Sequence, residues 1–318
     1  MSVAAPKESA TLSQNTIIIT GGSGGLASQI LRLFSQRGCK HLHSIDLRQP
    51  AHRLDGVTYH IGDLTDSDAM RRIFQDVRPN LVIHTASPKF DSPKHIMYKV
   101  NVEGTKSLVQ IAKESGTQSF VYTSSASVIS DAKTDLRNAD ETYPVILGDG
   151  QPEFYVYTKA LAETCIGDNR NLFDFTESTN VAHGHYLAAE ALVKHQKLLP
   201  PDNMKVDGEA FFITNDEPRC FWDFTRLVWR YVGDTTRPDQ VWVITRPWAL
   251  LLAGVLEWVF WALGLGEPPL TRTKVRLSCM TRYFSIDKAK KRLGYKPLVG
   301  LEDGLRQAVE DCVLRRKA

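Results

Sequence analysis

Short apolar runs alternate with amphipathic stretches through the first half of the chain. The β-branched run NTIIIT (15–20) stops at glycines and predicts a buried strand, and apolar residues then recur at helical spacing over 26–37. The same alternation predicts further strands at 41–47, 57–61, 81–84 and 120–124, and helices at 66–74, 93–115 and 153–166. Strands that alternate with helices predict an α/β fold with a doubly wound parallel sheet.

The second half follows a different pattern. GEAFFITNDEP (208–218) predicts a short strand and a turn, and FWDFTRLVWRYVG (221–233) carries aromatic residues at helical spacing. Residues 247–265 are nearly all apolar, with Glu257 as their only charge. We expect this half to form a smaller substrate-side lobe.

Composition and charge exclude several classes of protein. The chain has 318 residues, of which 42% are hydrophobic and 24% charged, so it can bury a core. A net charge of +3 without a long basic stripe argues against nucleic acid as a partner. The five cysteines are scattered and odd in number, so we predict a reducing compartment. No cysteine pair has metal-ligand spacing, and His183 and His185 cannot share one helix face, so we predict no metal site.

The string TGGSGGLA (20–27) follows a strand and opens a helix. Gly21 and Gly24 would let the backbone approach a pyrophosphate, which the helix N-terminus would bind through its N–H groups. The loop lacks the Gly-Lys-Ser/Thr ending of a nucleoside triphosphate site. The loop predicts an NAD(P)-binding Rossmann-like domain at 15–200, followed by the substrate lobe at 201–318. The polar N-terminal segment predicts a loose tail at 1–14.

A carboxylate at the end of the second strand indicates which dinucleotide is bound. Asp46 would accept hydrogen bonds from the adenosine ribose and repel a 2′-phosphate, which favours NAD over NADP, although Arg48 lies close by. Asp63 would lie near the adenine. The remaining residues that we assign to the cofactor site are Gly25, Leu26, Leu64 and Ala86.

Tyr155 and Lys159 are four residues apart on a predicted helix and therefore share one face. A lysine ammonium lowers the pKa of a nearby phenol, so Tyr155 could accept a proton from a substrate alcohol while hydride leaves for a nicotinamide. Ser125 would hold the same oxygen, and Asn101 would kink its helix and anchor a water for proton relay. Ser124, Ser127 and Tyr157 are competing candidates; Tyr157 lacks the spacing to Lys159.

Longer strings extend the pattern along the chain, among them HTASP, KVNVEGT, FVYTSSASV, GDNRNLFDF, NVAHGHYLAA, AFFITNDEP and YFSIDKA. They resemble the extended short-chain dehydrogenase/reductase family, in its 3β-hydroxysteroid dehydrogenase branch, and in particular the decarboxylating sterol-4α-carboxylate 3-dehydrogenases. The resemblance implies that NAD⁺ oxidises the 3β-hydroxyl of a 4α-carboxysterol or related triterpenoid. It also implies work at the endoplasmic reticulum, beside a C4 oxidase and a 3-ketoreductase.

One stretch departs from this family. Related enzymes follow the Tyr-x-x-x-Lys helix with another strand and a loop over the nicotinamide, whereas here ALAETCI runs straight into GDNRNLFDF. Several dozen residues are therefore expected to be absent after residue 166, and Glu177 stands where the family has a tyrosine. An exon lost from the transcript, an impaired NAD-binding paralogue and a working shortened sheet are the three explanations.

The apolar segment 247–265 is near the length that spans a bilayer. Glu257 near its middle favours a helix dipped into one leaflet over a span, and a buried helix of the lobe is the third possibility. We expect a membrane surface as partner, on the cytosolic face of the endoplasmic reticulum or on a lipid droplet. A homodimer is a further candidate assembly.

Three functions follow from these residues and the resemblance. The first is oxidation of a 4-carboxylated sterol with loss of CO₂. The second is a 3β-hydroxysteroid dehydrogenase of another pathway, or a nucleotide-sugar epimerase type of activity. The apolar segment argues against a sugar substrate. The third is a non-catalytic subunit that binds NAD and scaffolds a membrane sterol complex.

Overall fold

Five parallel strands form the central sheet, in the order β3-β2-β1-β4-β5, in a computed structural model that describes residues 12–89, 92–146, 164–166, 169–236, 242–266 and 268–317. The strands are β1 (Thr16–Thr20), β2 (His41–Asp46), β3 (Val57–Ile61), β4 (Leu81–His84) and β5 (Ser119–Tyr122). All five were predicted within two residues, and the doubly wound fold is confirmed. The strand order reverses between β1 and β4, where such sheets bind their ligands.

Helices cover both faces of this sheet: α1 (Gly25–Gln36), α2 (Ser67–Val77), α4 (Thr105–Glu114) and α5 (Ser178–Lys197). Successive side chains of a strand point to opposite faces. Ile17 and Ile19 therefore pack with α1 and α5, whereas Ile18 packs with α2 and α4. This burial on both faces explains why β1 carries consecutive apolar residues.

The helix predicted over 93–115 is interrupted. It consists of α3 (Lys94–Tyr98), a π-helical turn (Lys99–Gly104) and α4. An ideal Cβ at Gly104 would lie 3.4 Å from Leu64 Cβ, so the small residue lets this turn approach the loop after β3. Such π-helical turns are frequent at functional sites.

The other strands and helices include a four-stranded sheet in the order β6-β11-β8-β9, and a separate parallel pair of β7 with β10. These strands are β6 (Leu136–Ala139), β7 (Thr164–Ile166), β8 (Leu172–Phe173), β9 (Arg219–Cys220), β10 (Trp242–Ile244) and β11 (Arg282–Phe284). The remaining helices are α6 (Phe221–Tyr231), α7 (Arg246–Leu263), α8 (Arg272–Cys279), α9 (Asp287–Leu293) and α10 (Leu301–Lys317). The predicted helices at 221–233 and 247–265 correspond to α6 and α7.

The chain divides into two units, each built from separated segments. Unit 1 contains 1–124, 178–213 and 287–298, and unit 2 contains 125–177, 214–286 and 299–318. The sequence analysis instead placed one boundary at residue 200. The segments interleave because α5 packs against α1, while β11 pairs with β6 from the first half of the chain. Leu12, in the expected tail, is fully buried in the core of unit 1.

Two local predictions are wrong. Residues 164–166, placed at the end of a helix, form β7, because they pair in parallel with β10. The strand expected within 208–218 is absent, and that described segment is irregular up to β9. In the second case the apolar run FFI is held by tertiary contacts instead of a strand ladder: Ile213 packs on the α5 backbone at Gly184.

Candidate active site

The loop between β1 and α1 approaches its neighbours so closely that only glycine fits at two positions. Gly21 has φ +80°, and a Cβ there would lie 2.9 Å from the Cα of Ala86. A Cβ on Gly22 would lie 1.6 Å from Ser44 Oγ. The sequence analysis singled out Gly21 but missed Gly22, whose signal was only its place in a glycine pair.

The end of the same loop leaves space for a ligand. Gly24 is the N-cap of α1 and makes no side-chain cap hydrogen bond, and a Cβ on Gly25 would meet nothing within 4 Å. Gly25 and Leu26 form the first turn of α1, whose N–H groups have no partner within the helix. In the described part of the chain, open space beside N–H groups that lack a helical partner, at the positive end of a helix, fits the pyrophosphate of a dinucleotide.

Asp46 lies beside this loop at the end of β2. Its carboxylate accepts hydrogen bonds from Ser23 N at 2.9 Å and from Arg48 N at 3.4 Å. Ser23 Oγ in turn donates to the Arg48 carbonyl at 2.8 Å. These bonds hold a half-buried carboxylate next to the glycine loop, where it could accept hydrogen bonds from ribose hydroxyls.

The remaining cofactor candidates line the same edge of the sheet in unit 1. Asp63 is exposed, and its Oδ1 accepts from Thr65 N at 2.8 Å. The next residue, Leu64, is buried. Ala86 follows β4, and its N–H donates to Thr20 Oγ1 at 3.3 Å. All of the predicted cofactor residues in the described ranges therefore belong to unit 1.

A buried histidine joins three elements of this edge, and the sequence analysis missed it. His84 Nδ1 lies 2.7 Å from Thr20 Oγ1, and its Nε2 lies 2.9 Å from Thr105 Oγ1. Burial lowers the pKa of His84 to about 4, so the ring is neutral near pH 7. The ring therefore ties β1 and β4 to the start of α4; a histidine ending the apolar run LVIH was its only sequence signal.

Asn101 lies in the π-helical turn and is half-buried. The turn is consistent with the kink that the sequence analysis expected there. The relay role of Asn101 stays a prediction.

Ser125 begins unit 2 and is exposed. It is the N-cap of a 3₁₀ helix (Ala126–Ile129), and its Oγ accepts from Ser127 N at 3.2 Å. Ser124 is also exposed, and Ser127 is half-buried. Among the described residues, the Ser125 hydroxyl accepts this one hydrogen bond, which comes from its own turn.

The predicted Tyr155 and Lys159, and the competing Tyr157, lie outside the described residues.

His185 makes hydrogen bonds to Thr123 Oγ1 at 2.6 Å and to the Val181 carbonyl at 2.8 Å. In the part of the chain that the structure describes, no group of three or more His, Cys, Asp or Glu side chains is arranged to hold a metal.

Solved structures share this fold. The chain matches the crystal structure of gox2253 with a TM-score of 0.67 and 24% identity, over 96% of this chain and 99% of that one. It matches the Bordetella bronchiseptica enzyme WbmG, solved in complex with NAD and UDP, with a TM-score of 0.63 and 16% identity, over 94% and 95% of the two chains. At these identities the likeness shows the fold.

Similar sequences extend over almost the whole chain. The decarboxylating sterol-4-alpha-carboxylate 3-dehydrogenase ERG26 of Saccharomyces cerevisiae is 35% identical, over 93% of this chain and 97% of its own length. The Homo sapiens protein named sterol-4-alpha-carboxylate 3-dehydrogenase, decarboxylating, is 30% identical over 92% of this chain and 87% of its own length.

The comparisons also bear on the expected gap. The yeast alignment runs over 348 positions, which 93% of 318 residues cannot fill, so several dozen positions have no counterpart here. The model of the 3-beta hydroxysteroid dehydrogenase/isomerase family matches in two pieces, 18–168 and 164–245, that meet where the sequence analysis placed the gap. The two pieces cover more than half of the residues, and the chain belongs to the 3-beta hydroxysteroid dehydrogenase/isomerase family.

Proposed function

We propose that this protein is an NAD-dependent dehydrogenase that oxidises the 3β-hydroxyl of a 4α-carboxysterol or related triterpenoid, with loss of CO₂. The observation that carries the proposal is the match to decarboxylating sterol-4-alpha-carboxylate 3-dehydrogenases over more than nine-tenths of the chain. The glycine loop adds a dinucleotide cradle in the place that such chemistry requires.

The cofactor is NAD in this proposal. Gly24, Gly25 and Leu26 hold its pyrophosphate at the N-terminus of α1, and Asp46 binds the adenosine ribose. The carboxylate repels a 2′-phosphate, and the backbone of Arg48 is tied to the loop through Ser23. NAD⁺ supplies the hydride acceptor when bound.

The chain's own residues hold the alcohol and move its proton. Ser125 donates a hydrogen bond to the substrate 3-oxygen, and Tyr155, with its pKa lowered by the Lys159 ammonium, takes the hydroxyl proton. Lys159 also binds the nicotinamide ribose. Asn101 anchors a water through which the proton reaches solvent.

Loss of CO₂ then follows from the product's own chemistry. Oxidation at C3 leaves a carboxylate on the neighbouring carbon, so the product is a β-keto acid. When the bond to the carboxyl carbon breaks, its electron pair moves onto the ketone oxygen, and the enolate is protonated at C4. A separate residue for the decarboxylation is unnecessary.

The site of action in this proposal is one leaflet of the endoplasmic reticulum membrane or of a lipid droplet, with α7 as the docking helix. Among exposed apolar side chains of α7, Trp248 is 68%, Trp258 is 65% and Trp261 is 79% accessible. The helix is long and apolar enough to cross a membrane by length and composition. However, Ala249 and Ala253 of this helix are buried, so one face of α7 packs against its own unit.

The only charge between residues 247 and 265 lies on that packed face. Glu257 follows Ala249 and Ala253 at steps of four residues, and its carboxylate accepts from Arg272 Nε and Arg272 N, each at 2.7 Å. Apart from Arg246 at its start, α7 carries no charge on its exposed face. The packing of its other face against its own unit supports docking on a bilayer surface over a span. A C4 oxidase and a 3-ketoreductase acting on the same membrane-held sterol are its partners in this proposal.

Products distinguish this function from its alternatives. Purified protein in detergent would be given NAD⁺ and a 4α-carboxysterol or the same 3β-hydroxysterol without the carboxyl group, with NADH and CO₂ measured. NADH and CO₂ from the first substrate support the proposal. NADH from the uncarboxylated sterol alone indicates another 3β-hydroxysteroid dehydrogenase, and NAD binding without NADH from either indicates a scaffold subunit.

A further inference from the structure

A cationic group lies close to the turn that carries Ser125. Arg282 opens β11, and its Nη2 lies 3.5 Å from Ser127 Oγ. Ser127 N donates to Ser125 Oγ at 3.2 Å. The guanidinium is thus two polar contacts away from the hydroxyl that we assign to the substrate 3-oxygen, and all three residues belong to unit 2.

Two aromatic rings hold this guanidinium in place. The Cζ atom of Arg282 lies 5.2 Å from the ring centre of Phe173 and 5.9 Å from that of Phe284. Phe173 faces Arg282 across the β8–β11 pair, and Phe284 is two residues along β11 on the same side. An arginine stacked in this way is preorganised, so less conformational entropy is lost when its planar fork binds a carboxylate.

The surroundings are dry enough to make a charge effective. Asp174 accepts from Phe284 N at 2.7 Å and donates its own N–H to the Arg282 carbonyl at 2.9 Å. Burial, assisted by the charge of Asp216, raises the pKa of Asp174 to about 6 despite the hydrogen bond from Phe284 N and the attraction of Arg282. Desolvation therefore outweighs the attraction of Arg282 for this carboxyl, and a carboxylate brought by a ligand would interact with the guanidinium at low dielectric.

The proposed substrate class carries a carboxylate next to its 3-hydroxyl. In a 3β-hydroxy-4α-carboxysterol the hydroxyl and the carboxylate stand on adjacent carbons. A protein group that binds the carboxylate must therefore lie within a few ångströms of the group that binds the 3-oxygen. We propose that Arg282 is a specificity-determining residue that binds the C4 carboxylate of the substrate; this rests on the proposed function.

The test compares binding of two ligands by the full-length protein in detergent with NAD present: a 3β-hydroxy-4α-carboxysterol and the same sterol without the carboxyl group. The readout is the ratio of the two Kd values, which a general loss of folded protein leaves unchanged. In wild type the carboxylated sterol binds more tightly. R282Q should lower this preference by roughly 10- to 100-fold, the range of hydrogen bonds to a charged group, and leave the neutral sterol's affinity unchanged.

Two variants serve as controls. R282K keeps the charge but loses the fork, so its preference should fall between those of wild type and R282Q, and it replaces R282Q if that variant does not fold. R137Q removes an arginine of β6 in the same sheet, whose side chain is 69% accessible, and should keep the wild-type ratio.

The outcomes separate this inference from the proposed function. A wild-type preference that persists in R282Q, or in R282K when R282Q does not fold, overturns the role of Arg282, as does a wild type without preference. A preference that depends on Arg282 in a protein without turnover supports the carboxylate site and contradicts the proposed catalysis.

Discussion

Three glycines of the loop between β1 and α1 are required for different reasons. Gly21 needs its positive φ, Gly22 lies against Ser44, and Gly25 faces open space. The first two positions concern folding of the loop, and the third concerns what binds beside it. Substitutions at these positions therefore separate stability from cofactor affinity.

Gly25→Ala should leave thermal stability unchanged or slightly higher, because alanine favours a helical turn. Its Cβ would occupy the space assigned to the pyrophosphate, so the Kd for NAD should rise by roughly tenfold or more, about 1.4 kcal/mol. Gly22→Ala is the matched variant and should cost about 1–3 kcal/mol of stability by overpacking. Calorimetry and thermal unfolding measure both; unchanged NAD affinity in Gly25→Ala would place the pyrophosphate elsewhere.

Asp46 decides the choice of dinucleotide in our account. Asp46→Asn keeps an acceptor for Ser23 N but removes the charge. NAD should therefore bind more weakly, and NADP should bind more tightly. We expect the NAD/NADP affinity ratio to fall by roughly 10- to 100-fold. Asp55→Ala, an exposed turn residue, is the control. An unchanged ratio in Asp46→Asn would remove Asp46 from the ribose site.

His84 makes stability depend on pH. Its pKa is about 6.5 when unfolded and about 4 when folded, so the unfolded chain binds the extra proton between these values. The contribution of the neutral His84 ring to folding stability is complete above pH 6.5 and is lost as the pH falls toward 4. Between pH 7.5 and 5, the free energy of unfolding of wild type should fall by about 2 kcal/mol more than that of His84→Gln, as measured by urea unfolding. Parallel losses in both proteins would contradict a buried neutral ring.

At the scale of elements, α7 combines a packed stripe with an apolar outer face. The stripe of Ala249, Ala253 and Glu257 was invisible as such in the sequence, where Glu257 only argued against a span. Periodicity showed the helix, but only the pairing of Glu257 with Arg272 showed that the charge faces α8. The exposed tryptophans are thereby left for an apolar surface.

The double variant Trp258→Glu/Trp261→Glu should detach the protein from membranes. Each exposed tryptophan that enters the interface contributes about 1.5–3 kcal/mol, so vesicle binding should weaken by at least roughly tenfold. Co-sedimentation with phosphatidylcholine vesicles measures this. Val232→Glu, an exposed apolar position in the same unit, is the control. Equal binding by wild type and the double variant would mean that α7 does not dock on lipid.

At the scale of the whole molecule, the sequence predicted the sheet well because apolar runs such as those of β1 and β4 stand between polar loops and alternate with amphipathic helices. It failed at residues 164–166, where no local pattern announces the pairing with β10. It also did not find the β6-β11-β8-β9 sheet, whose two- to four-residue strands come from distant parts of the chain. Cofactor residues could be proposed from the sequence because a glycine loop has a local signature, whereas His84 and Arg282 make their contacts with residues distant in the chain.

The gap after residue 166 affects the molecule as a whole. In the described part of the chain, β5 has β4 as its only strand neighbour, and Tyr122 at its end is 52% accessible. The alignments with relatives contain several dozen positions that have no counterpart in this chain. Turnover by this chain is therefore the property on which the proposed function depends.

The most direct test is the stoichiometry of one reaction in the purified protein. Carboxyl-labelled 4α-carboxysterol and NAD⁺ would be supplied in detergent, with labelled CO₂ and NADH counted over time, in wild type and in Tyr155→Phe. Our account predicts equal amounts of CO₂ and NADH from wild type, and neither from a Tyr155→Phe variant that still binds NAD. Wild-type protein that binds NAD but forms neither product would contradict the account and leave a binding subunit.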